Sequence, residues 1–265
     1  MKENLYESKI FFDKFLIELE KEISNKDFLK LLKDAQTIDG KHYKKMINEE
    51  HLKSVINEYK DLENFEKNLK KVLILLPGNP EIVFKLGIEA IRNNMTLIIG
   101  IEDFCLAQNT ILIETINKVL EKIKNKNRVI LKNLLNDFEI IENSKLVEKT
   151  IIIGNSNLYN RLQNKIDVTL NPYGIFEVYS DSDEFEELQE MIFEVFNQNE
   201  FEVEFFDDLK FDDAIKIINK QGYKFCTMLF SNDKEKIKSF KDKINSEYVI
   251  VNKNPFKQIK LKLDI

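Results

Sequence analysis

The sequence predicts an α/β protein built on a doubly wound parallel sheet, and three observations carry that prediction. Short β-rich apolar runs at residues 72–76, 96–99, 128–131 and 150–153 alternate with segments of helical period. The first two runs are closed by glycine or proline, in Pro77-Gly78-Asn79-Pro80 and in Gly100, and a helix-period segment lies between them. Strand, crossover helix and strand in that order are the unit of a parallel sheet. In such a sheet the chemistry sits beyond the strand tips, so the turn at 77–80 is the first place to look.

Size and charge narrow the functions open to the chain. At 265 residues, with 43% hydrophobic and 32% charged residues, it can bury a sizeable core in one or two domains. A net charge of −6 and a pI near 5.3 argue against a nucleic-acid surface, which needs clustered, unopposed lysine and arginine. The many lysines instead alternate with acids, as in NDKEKIKSFKDK, the pattern of solvated helix faces. No run has the form of a signal peptide or the length to span a bilayer, so a cytoplasmic protein without membrane partners is expected. Cys105 and Cys226 lie too far apart in sequence to suggest a disulfide framework, and His42 and His51 lack metal-ligand spacing.

Taken in order, residues 1–70 read as helices. Ile10, Phe11, Phe15, Leu16 and Leu19 recur at helical spacing, Phe28, Leu29, Leu31 and Leu32 form a second patch, and Leu52, Val55, Ile56 and Tyr59 a third. From Lys71, helices are expected over 81–93, 107–124, 144–147 and 157–162 between the four strands. Asn171-Pro172 marks a turn and a domain boundary. Beyond it strands are expected at 174–179, 202–206, 225–230 and 248–252, separated by helices at 181–198, 211–221 and 233–244. The C-terminal KQIKLKLDI alternates at period two, as a half-wet strand does.

Three blocks, in order, resemble the aldehyde dehydrogenase superfamily. VLILLPGNPEIV followed by TLIIGIED is similar to the family block with a Pro-x-Asn-x-Pro turn and a strand leading to Lys-Pro-Ser-Glu. TIIIGNSNLYNRL resembles the family's Phe-Thr-Gly-Ser turn and cofactor-facing helix, and residues 205–256 resemble its C-terminal block, closing in Val251-Asn252. The resemblance implies a Rossmann-type nucleotide-binding domain at 71–167 behind an N-terminal helical region at 1–70. A truncated second α/β domain, catalytic-like and ending in the C-terminal strand, would fill 168–265. The chain is about half as long as a typical member, with the deficit expected near the N-terminus and between Glu202 and Phe206.

The resemblance also implies site residues, and several are altered. Asn79 matches the oxyanion asparagine, with a turn residue between Gly78 and Pro80 as the equal alternative. The nucleophilic cysteine position falls near Glu202, and the general-base glutamate is matched by Thr169, which cannot act as a base at neutral pH. Cys105 and Cys226 read as buried or incidental thiols. For NAD or NADP, Gly154, Asn155 and Glu102 are the candidate contacts, with Asp103 beside the last. Gly100 replaces the ribose lysine, Tyr159 crowds the pyrophosphate approach, and Glu139 adds negative charge, although the helix start after Gly154 remains a phosphate candidate. The expectation is therefore an aldehyde-dehydrogenase-like protein that has lost catalysis, and with it possession of the cofactor is in question. It would serve as a nucleotide-binding, assembly or regulatory protein, pairing with itself through the C-terminal strand or with a full-length dehydrogenase. The alternative is an active NAD(P)-dependent aldehyde or acyl-CoA oxidoreductase with a non-standard site.

Overall fold

A computed structural model describes residues 2–40, 47–60, 71–101, 105–126, 128–134, 136–199, 201–222, 225–257 and 259. The chain divides into two compact units, residues 1–151 with 162–168, and residues 152–161 with 169–265. Three helices open the first unit, α1 (Lys2–Ile23), α2 (Lys26–Asp39) and α3 (Glu49–Lys60). Their inward faces carry Phe12, Phe15, Leu16, Leu19, Phe28, Leu32, Leu52 and Ile56; of the periodic positions expected from the sequence, Ile10 and Leu31 are exposed instead, and Phe12 rather than Phe11 is fully buried. Then follow β1 (Lys71–Leu76), α4 (Pro80–Arg92), β2 (Thr96–Ile101), α5 (Leu106–Lys122), β3 (Val129–Asn133), α6 (Asp137–Ser144) and β4 (Lys149–Ile153).

α7 (Ser156–Leu162) and β5 (Thr169–Asn171) complete the first sheet, whose strand order is β3-β2-β1-β4-β5. β1 pairs parallel with β2, Lys71 opposite Thr96, and β2 parallel with β3, Leu97 opposite Val129. Nearly every residue of β1 and β2 is buried, because strands covered by helices on both faces have no wet side. This is the doubly wound sheet the sequence predicts.

The second unit carries a parallel sheet of its own, ordered β7-β6-β8-β9. Its strands are β6 (Ile175–Ser180), β7 (Glu202–Phe205), β8 (Cys226–Phe230) and β9 (Tyr248–Val251), linked by α8 (Glu186–Asn199), α9 (Phe211–Lys220) and α10 (Lys234–Lys243). Alternate residues feed two cores. Phe176, Val178, Met228 and Phe230 pack with Ile192 and Phe196 of α8, whereas Tyr179 and Leu229 pack with Ile215 and Ile218 of α9 and Phe240 of α10.

Three expectations need correction. The helix expected at 144–147 is α6, seven residues earlier, because Asn136 accepts from the Glu139 amide at 3.0 Å and starts the helix there. A 3-10 turn at Asp183–Phe185 delays α8 to Glu186. The three-residue β5 was not foreseen, since Pro172 cuts the run too short for an alternating pattern to register. His42 lies outside the described residues, as does the expected C-terminal strand, of whose segment only 257 and 259 are described.

Candidate functional site

In the first unit the β1 tip is built as the sequence suggests, from Gly78, Asn79 and Pro80. Asn79 is 3% exposed, and its carboxamide oxygen accepts from the Glu81 and Ile82 amides at 3.0 and 3.3 Å. It is the N-cap of α4, with Pro80 in the first helical position where its missing N–H costs nothing. Of the two readings of Asn79, the turn residue is therefore the one with visible bonds. Gly78 holds a positive φ of 99°, and its carbonyl accepts from the buried Asn109 amide at 2.6 Å, which ties the turn to α5.

The α5 N-terminus follows β2 and is closed by a residue the sequence did not single out. Asp39, at the end of α2, accepts from the Ala107 and Gln108 amides, one carboxylate oxygen to each, both at 2.8 Å. A carboxylate there satisfies two amides that the helix leaves without partners and meets the positive end of its dipole. Gly100, on β2, is packed by two leucine methyls that a side chain there would displace: a Cβ would lie 2.6 Å from Leu75 Cδ2 and 2.7 Å from Leu134 Cδ1. Glu102 and Asp103 lie outside the described residues.

In the second unit Gly154, Asn155, Ser156 and Glu202 come together at the start of α7. Gly154 has φ +65° and its Cβ would stand 2.6 Å from the Tyr173 carbonyl oxygen. The glycine is thus required by a protein carbonyl and not by an approaching phosphate. Asn155 caps α7 by accepting from the Leu158 amide at 2.8 Å. Glu202, at the head of β7, accepts from the Ser156 amide at 2.7 Å, and its other oxygen accepts from the buried Ser156 hydroxyl. At this helix start, the phosphate candidate of the sequence, the chain's own carboxylate holds the Ser156 amide and hydroxyl.

The two thiols sit inside their units. Cys226 opens β8 and is fully buried, and desolvation pushes its thiol well above the ordinary cysteine value, with the Glu177 carboxyl adding to the effect. Such a thiol holds its proton at neutral pH and is a poor nucleophile. Cys105 is the residue before α5, buried, with φ +50°. Thr169, at the general-base position, is exposed at the first residue of β5. No group of three or more histidine, cysteine, aspartate or glutamate side chains among the described residues could hold a metal.

The resemblance implies a nicotinamide dinucleotide, and within each unit a matched residue differs from the family's. In the first unit Gly100 stands at the ribose-lysine position beside Leu75 and Leu134, and in the second the Glu202 carboxylate accepts from the Ser156 amide at the start of α7.

A buried carboxyl lies in the same unit. Glu177, in mid-β6 and 1% exposed, accepts from Thr227 Oγ1 at 3.0 Å, and Thr227 in turn shares a 2.5 Å hydroxyl contact with Ser246. Burial pushes its carboxyl up to about 7, against the Thr227 bond and with help from the neighbouring Glu204 charge. Sequence reasoning missed this residue, although a glutamate inside the apolar run Ile-Phe-Glu-Val-Tyr was a visible signal.

No family model matches this sequence, and no curated protein matches it. Solved structures do. Glyceraldehyde-3-phosphate dehydrogenase GapN from Methanocaldococcus jannaschii, complexed with NADP, is 12% identical, with 96% of this chain and 82% of that chain covered and a TM-score of 0.58. A probable aldehyde dehydrogenase from Listeria monocytogenes is 11% identical over 92% of this chain and 81% of that one, with a TM-score of 0.57. Gamma-glutamyl phosphate reductase from Thermotoga maritima is 11% identical over 94% and 83%, with a TM-score of 0.56. Two parallel sheets in the order the three sequence blocks imply, matched over almost the whole chain by these enzymes, establish that the chain has the fold of the aldehyde dehydrogenase superfamily.

Proposed function

We propose that this chain is a non-catalytic protein on the aldehyde dehydrogenase fold, acting through assembly with a second copy of itself or with a full-length dehydrogenase. One observation carries the reading. Glu202 stands at the position the resemblance gives to the nucleophilic cysteine, and it spends both carboxylate oxygens on Ser156 at the head of α7. A carboxylate so engaged neither attacks a carbonyl as a thiolate would nor leaves α7 open to a phosphate. The buried Cys226 thiol and the exposed Thr169 supply no substitute.

Incubating the purified chain with NAD or NADP and a panel of aldehydes and acyl-CoA thioesters, followed by nicotinamide absorbance, is expected to show no turnover. Turnover that disappears in Cys105→Ala or Cys226→Ala would restore the oxidoreductase reading. Co-purification with a full-length dehydrogenase, or a dimer by light scattering, is the expected sign of the assembly role.

A further inference from the structure

β7 is the edge strand of the second sheet, four residues long and paired only with β6. Its register sets Ile175 opposite Glu202 and Glu177 opposite Glu204, so both glutamates of β7 share a face with Glu177. Strand partners lie about 5 Å apart, which makes Glu177 and Glu204 immediate neighbours. Gln221 donates to one Glu204 oxygen at 2.5 Å, whereas Glu177 Oε1 is buried and has no hydrogen-bond partner.

Among the described residues, the surroundings of Glu177 contain no compensating cation. β7 offers Glu204; β8 offers Thr227 and, on the opposite face, Cys226; the segment before β9 offers Ser246. α9 turns Ala214, Ile215 and Ile218 inward and α10 turns Phe240 inward, all without charge. Among the described residues no lysine or arginine pairs with Glu177. Ionising it therefore leaves a desolvated charge inside the sheet with the exposed Glu204 as its strand neighbour, and releasing the edge strand opens Glu177 to water and separates the two carboxylates. What opposes release is the β6–β7 ladder, the Glu202 and Phe206 amides donating to the Gly174 and Val178 carbonyls at 2.9 and 3.0 Å, the buried Phe206, and the half-exposed Phe205 on Phe193 with ring centroids 4.9 Å apart.

Because β7 begins with Glu202, the strand and the α7 contact are one mechanical piece. We propose that β7 is a pH-released clasp: with Glu177 protonated the strand stays paired and Glu202 holds α7, and ionisation of Glu177 beside Glu204 frees the strand and withdraws Glu202 from Ser156. The device goes beyond the non-catalytic reading and does not depend on it.

Amide hydrogen exchange on the full chain, corrected for the intrinsic pH dependence and compared at pH 6 and pH 8.5, tests it. Protection at the Glu202, Phe206 and Ser156 amides is expected to fall about tenfold at the higher pH, the equivalent of one unit of pKa difference between the paired and released strand. Protection at the Tyr248 amide, bonded to the Phe225 carbonyl within the same sheet, is expected to hold. Glu177→Gln, which keeps the shape and the acceptor for Thr227, is expected to abolish the fall, and Glu204→Gln to shrink it. An unchanged fall in Glu177→Gln, a flat wild-type profile, or a fall shared equally by Tyr248 would each overturn the proposal.

Discussion

At the scale of single residues, the chain places acids where its resemblance to dehydrogenases leads one to expect other groups. Glu177 is the most consequential for stability. In the unfolded chain its carboxyl loses its proton near 4.5, whereas in the folded chain burial holds the proton to about 7. The unfolded state therefore binds fewer protons between those values, and folding stability falls as pH rises through that window and levels above it. Each unit of displacement is worth about 1.4 kcal/mol, so the cost by pH 8 is about 3 kcal/mol. Urea denaturation at pH 5 and pH 8 should show the wild type losing that much more than Glu177→Gln. Glu89, also raised by burial, contributes with the same sign in both proteins, so the difference between them isolates Glu177.

At the scale of elements, helix starts that follow strands are filled from within. Asn79 closes α4, Asn136 closes α6, Asp39 closes α5, and Asn155 with Glu202 closes α7. Removing the α5 cap in Asp39→Ala leaves two amides without their acceptor and is expected to cost about 1–2 kcal/mol by urea denaturation, with Asp39→Asn recovering part of it. An unaffected midpoint would show that solvent serves those amides as well as Asp39 does. Asn79 and Asn155 act on amides two or three residues away, a range a local sequence pattern can report, although by sequence Asn79 reads as a turn or oxyanion residue and Asn155 as a cofactor contact. Asp39 and Glu202 were not legible as caps, because they act across 68 and 46 residues and no local pattern reports a contact of that span. The same distinction explains the elements: apolar runs located every strand but β5 within a residue or two, while α6 was misplaced because its cap was overlooked in favour of the apolar pair that follows it.

At the scale of the whole molecule, the order of strands and helices rests on apolar pattern and not on the residues of a site. The parallel sheets, β3-β2-β1-β4-β5 and β7-β6-β8-β9, depend on buried apolar runs that any residue set of similar volume and pattern maintains. A nucleophile and its dinucleotide depend on a few specific side chains, and the resemblance matches Gly100, Thr169 and Glu202 to those positions. The fold can therefore persist while the site changes, which is why the likeness to known enzymes is strong in shape and slight in sequence. The central claim, that no thiol in this fold is available for carbonyl attack, is tested most directly by titrating the native protein with a thiol-specific disulfide reagent at neutral pH and weighing the intact chain. The account predicts that both Cys105 and Cys226 stay unmodified until denaturant is added and that two labels then appear; rapid labelling of either one in the folded protein would contradict it.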